Sequence, residues 1–91
     1  MIKANKDLYN SRNKVNDMDI IYTNHAKAML EKRKIEKIWV EETLKSPDKI
    51  EKEERKHYAR KKLNGLTIEV IYEIVKDERK RYIKIITIYP I

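Results

Sequence analysis

From Ile20 onward the apolar residues recur with two different periods. Ile20-Ile21-Tyr22 is a short apolar run that predicts a first strand. Thr23 or Asn24 then supplies a helix cap, and Ala26, Met29 and Leu30 follow at helical spacing. A second helix is predicted from about Glu36 to Lys45, with Ile35, Ile38, Trp39 and Leu44 as its apolar stripe, widened by Val40 and Thr43. Trp39 is assigned to the core. Ser46-Pro47 stops that helix, because the residue before proline avoids helical angles. Beyond it the period shortens to that of strands. Residues 48–63 are highly charged, with Ile50, Tyr58, Ala59 and Leu63 as anchors. Asn64-Gly65 between two strand-like runs marks a two-residue hairpin. Leu66 to Val75 and Tyr82 to Tyr89 are β-branched-rich, and residues 76–80 form the turn between them. Ile and Val fall on both faces of these last two strands, which predicts a sheet covered on both sides near its centre.

The expected fold is therefore α+β, in the order β-α-α-β-β-β-β, with two helices packed on one face of an antiparallel sheet. Residues 1–18 read as a polar N-terminal extension, loosely docked or forming a short helix. Residues 19–91 read as one domain.

Composition narrows the function. The chain has 91 residues, with 22 Lys and Arg against 15 Asp and Glu, a formal charge of +7. That balance suits a polyanionic partner such as nucleic acid. There is no Cys, which excludes disulfides and thiolate metal sites. His25 and His57 alone form no metal-ligand spacing, so no metal and no cofactor is expected. The single Gly is taken by the hairpin, so there is no glycine-rich phosphate loop. No apolar run approaches the roughly 18–20 residues that span a bilayer. Met1 to Asn16 lacks the apolar core of a secretory signal. No membrane association is expected, and the expected compartment is the cytoplasm.

Several pieces together resemble a known family. They are Tyr22-Thr23-x-His25-Ala26, Met29, Glu31-x-Arg33-x-Ile35, Leu44-x-Ser46-Pro47-Asp48, Lys56-His57-Tyr58, Val70-Ile71-Tyr72 and Ile86-Thr87-Ile88-Tyr89-Pro90. In this order they resemble a family of small domains of unassigned function grouped with the RelE/BrnT-like toxins of type II toxin–antitoxin modules. The resemblance spans about residues 19–91. It implies a RelE-like, microbial-RNase-type fold and a hydrolase that cuts mRNA without metal, often on the ribosome. It also implies neutralisation by a cognate antitoxin protein. Oligomers are compatible with it. Ala28 stands where the family often has Arg, which favours the alternative of a non-catalytic RNA- or protein-binding module of the same fold.

Metal-independent RNA cleavage needs a base for the 2′-OH, cations for the phosphorane and an acid for the 5′-oxygen. The resemblance marks His25, at a helix start, as a hallmark position. Its structural reading is a histidine that bonds backbone or Thr87. His57 or His25 is the candidate acid/base, with Tyr58 as stacking or proton-transfer partner. In a strand, Tyr58, Arg60 and Lys62 share one face, and His57 takes the other. Arg60, Lys62 and Lys56 are candidate phosphate cations, and their structural reading is a charged edge strand. Arg33 either complements a helix C-terminus or, by resemblance, faces the sheet and binds phosphate. Tyr72, Thr87 and Tyr89 are ordinary strand formers that flank this set.

Overall fold

The computed structural model describes residues 14–91; the extension or short helix expected before Lys14 lies outside the described residues. The chain forms β1 (Lys14–Val15), β2 (Met18–Tyr22), α1 (Asn24–Arg33), α2 (Lys37–Lys45), β3 (Lys49–Glu53), β4 (Lys56–Leu63), β5 (Leu66–Asp77) and β6 (Lys80–Pro90). The described residues make a small α+β fold with two helices on a six-stranded sheet of order β1-β2-β6-β5-β4-β3.

Local chemistry accounts for the helices. Thr23 Oγ1 accepts the Ala26 N–H at 3.0 Å and caps α1. The same hydroxyl donates to the Ile86 carbonyl at 3.2 Å, so the cap also ties α1 to β6. Lys34 closes α1 with φ 55°, in the left-handed conformation that glycine more often supplies. Ser46 caps α2 just before Pro47. α2 crosses the sheet from the β2 side, where Lys37 lies over the Tyr22 ring, to β4, where Lys61 donates to the Ser46 carbonyl.

Three expectations are corrected. First, the sheet is mixed: β3 to β6 form the expected antiparallel meander, but β2 pairs parallel with β6. The two helices carry the chain over the sheet, and β2 docks on the outer side of the last strand, a non-local pairing with no local signal. Second, the described residues form six strands, because β1 forms inside the segment read as extension. Asn16 (φ 54°) and Asp17 (φ 65°) make a two-residue turn that pairs Val15 with Met18. Third, the helices cover one face only, and no described element lies over the other. A β-bulge at Ile86 explains the error, since the register jumps from Ile71–Thr87 to Tyr72–Ile85. The bulge brings Ile83, Ile85 and Ile88 all to the helix face. A strict two-residue period would have split them.

The core lies on that face. Ile68, Val70, Ile85 and Ile88 meet Ala26, Leu30, Val40 and Leu44. Each fully buried Ile or Val contributes about 1.5–3 kcal/mol. Ile38, expected in the stripe, is 53 % exposed, and Trp39 only partly buries against the core. The α2 residues turned inward are Val40, Glu41, Thr43 and Leu44.

Candidate functional site

Directly paired residues on neighbouring strands share a face, so the register builds the open face row by row. One row runs Lys49, Arg60, Glu69, Tyr89 across β3 to β6, and the next runs Glu51, Tyr58, Ile71, Thr87. Lys62 stands opposite Thr67 on the same face. The expected row of Tyr58, Arg60 and Lys62 is therefore turned away from the helices. β2 stops opposite Ile85, so the outer edge of β6 is left to the start of α1. There His25 Nε2 lies 3.2 Å from Thr87 Oγ1, with the ring exposed. Thr87 and Tyr89 thus sit beside both the imidazole and the Arg60 row.

The centre of this face is a charged cluster. Arg60 Nη2 donates to Glu69 Oε1 at 3.1 Å. The Glu69 side chain is only 9 % exposed, while that of Arg60 is 42 % exposed. Tyr89 stands directly opposite Glu69 on the neighbouring strand. Desolvation first, and then the Glu69 charge, push the Tyr89 phenol above its ordinary range, while Arg60 opposes them weakly. Tyr89 therefore stays a proton-bearing donor at neutral pH. Arg60 holds Glu69 while its own side chain stays partly open to solvent.

Glu69 was missed at sequence level, although a signal for it existed. With Asn64 (φ 47°) and Gly65 (φ 83°) as a two-residue turn, the pairing of Leu63 with Leu66 follows, and Arg60 must oppose Glu69. An acid opposite a base on a strand face is an ion pair readable from the turn alone.

Other candidates go elsewhere. His57 faces the helices and stacks on Tyr72, ring centroids 4.8 Å apart and planes 13° apart. Its Nδ1 is buried without a hydrogen-bond partner. Burial raises the Tyr72 phenol above its usual range. Neither residue shares a face with Arg60. Arg33 stands exposed in the last turn of α1, without an ion pair among the described residues. Lys56 begins β4 on the open face, opposite Glu73. Among the described residues no three His, Asp or Glu side chains gather as a metal site. No described helix is long and apolar enough to cross a membrane.

A family model described as a domain of unknown function, DUF4258, matches residues 22–90. The chain belongs to the DUF4258 family. No curated protein and no solved structure matches it. The DUF4258 match begins at Tyr22 and so takes in both helices and β3 to β6, but not the β1–β2 turn. Within it, several residues that carry the sequence resemblance have structural work: Tyr22, Ala26, Leu44 and Val70 are buried and Thr23 is the cap. His25 is exposed and makes the contact with Thr87 that its structural reading expected, at the edge of the open face.

Proposed function

We propose that this domain is a metal-independent endoribonuclease, the toxin component of a type II toxin–antitoxin module, and that the open sheet face is its RNA surface. The observation that carries this reading is the grouping of Arg60, Glu69 and Tyr89 beside Tyr58 on one uncovered face, with His25 at its edge. Arg60 offers a planar fork of donors to a phosphate. Tyr58 offers a stacking plane, and Lys49 and Lys62 extend the positive charge along the face. The resemblance to RelE/BrnT-like toxins and the +7 charge point the same way. Such a toxin would be held in check by a cognate antitoxin and would act in the cytoplasm.

The test is incubation of purified protein with labelled single-stranded RNA in chelator, with and without ribosomes. Cleavage that leaves 2′,3′-cyclic phosphate ends supports the reading. Intact RNA under both conditions refutes it. A second reading, a non-catalytic RNA-binding module, draws on the exposed Ala28 and on the turning of His57 to the helix face, which leaves one imidazole on the open side. RNA binding without cleavage would select it.

A further inference from the structure

We infer that β3 is a self-pairing edge, and that two copies of this chain join through it as an antiparallel dimer with one continuous sheet. The inference stands apart from the ribonuclease reading and does not need it.

The sheet ends at β3, and no described strand pairs with its outer side. All five of its residues, Lys49 to Glu53, are exposed. Glu53 and Lys56 close the two-residue Glu54-Arg55 turn and so exchange hydrogen bonds. Alternation along the pair then turns the N–H and C=O groups of Ile50 and Lys52 outward. Unused backbone groups along an edge are a template for another strand. The opposite edge, β1, has only two residues and offers little of this kind.

The side chains choose the partner. An antiparallel pairing of two copies that keeps both open faces on one side has its two-fold axis level with one residue, which then faces its own copy. The strand reads Lys-Ile-Glu-Lys-Glu, so every centre except Ile50 sets a charge against its like. Ile50 is also 49 % exposed, an apolar side chain with little cover in the single chain. With Ile50 on the axis, Lys49 of each copy stands opposite Glu51 of the other, twice over. Within one chain Lys49 and Glu51 already lie 3.7 Å apart on the open face, so the dimer closes a ring of four alternating charges. Charge on an edge strand commonly guards against pairing. Here it penalises every centre but one.

The same axis shapes the open face. The open faces of both copies look the same way. The row that ends in Arg60 and Lys49 of one copy runs on into Glu51 and Tyr58 of the other.

Sedimentation equilibrium of the full chain over a rising concentration series tests the pairing, with circular dichroism of each variant. The wild-type mass should double as concentration rises. Lys49→Glu sets acid against acid and Glu51→Lys sets base against base, and each should raise the dissociation constant about tenfold or more. An equimolar mixture of the two variants should recover the dimer, because each acidic edge then meets a basic one. Ile50→Pro removes an outward N–H that β4 does not use and should leave a folded monomer. A wild type that is monomeric throughout overturns the inference. So do single-charge variants that dimerise as wild type does, or a mixture of them that stays monomeric.

Discussion

The two faces of the sheet are built from the same strands and follow different rules. On the helix face the centre is an apolar, buried core, and a half-buried histidine at its margin stacks on Tyr72. On the open face the same strands present Arg60, Glu69, Tyr58, Thr87 and Tyr89, where one buried carboxylate is tolerated because Arg60 pairs with it. His57 and Tyr58 show the contrast at its sharpest. They are adjacent in sequence, and strand pleating sends one into packing and the other toward solvent. Chemistry-bearing residue types therefore count here only with their face.

The contrast can be broken from either side. The largest effect is expected on the helix face: Ile85→Ala should cost about 2–5 kcal/mol in urea unfolding, as the fully buried side chain leaves a cavity. Next comes the histidine pair. His25→Ala should lower metal-free cleavage about 100-fold with stability nearly unchanged, and His57→Ala should lower the melting temperature and leave the rate per folded molecule alone. The reverse pattern would exchange the roles of the faces. Smaller again, Lys62→Ala should weaken RNA binding uniformly across sequences and reduce the salt slope by about 1, read from titrations at several salt concentrations.

The smallest effect concerns Tyr22 on the helix face. Its buried hydroxyl has no hydrogen-bond partner, and burial, then the Glu41 charge, raise its pKa far above 10.0. The unfolded chain ionises this phenol near pH 10 while the folded one does not. The stability it contributes is therefore intact below that pH and is lost as pH rises beyond it. Tyr22→Phe should flatten that alkaline loss and add about 1 kcal/mol at neutral pH, both measured by urea unfolding.

Much of the fold was legible because its signals are local. Thr23 caps α1, Ser46-Pro47 stops α2, and Asn64-Gly65 sets the β4–β5 register. The parity of β4 also separated His57 from Tyr58, Arg60 and Lys62. The rest was hidden for physical reasons. Four hairpins close through two-residue turns, but at Glu54-Arg55 and Glu78-Arg79 the residues that open the turns, at φ 58° and 55°, are glutamates, which carry no turn signature. The pair Asn16-Asp17 was a usable signal, masked by strands of only two and five residues around it. The β2–β6 pairing and the Ile86 bulge depend on tertiary contact. Glu69 needed the turn register to be carried across to its partner, and that step joins Arg60 to Tyr89.

The central claim is that RNA lies on the open face, and side-chain footprinting tests it most directly. Hydroxyl radicals would modify the protein with and without a single-stranded RNA made uncleavable by 2′-O-methylation, and mass spectrometry would read each residue. The expected result is protection of Tyr58, Tyr89 and His25, with Met29 and Trp39 on the helices unchanged. Protection of Met29 and Trp39 with the tyrosines unchanged would contradict it and move the RNA to the helices.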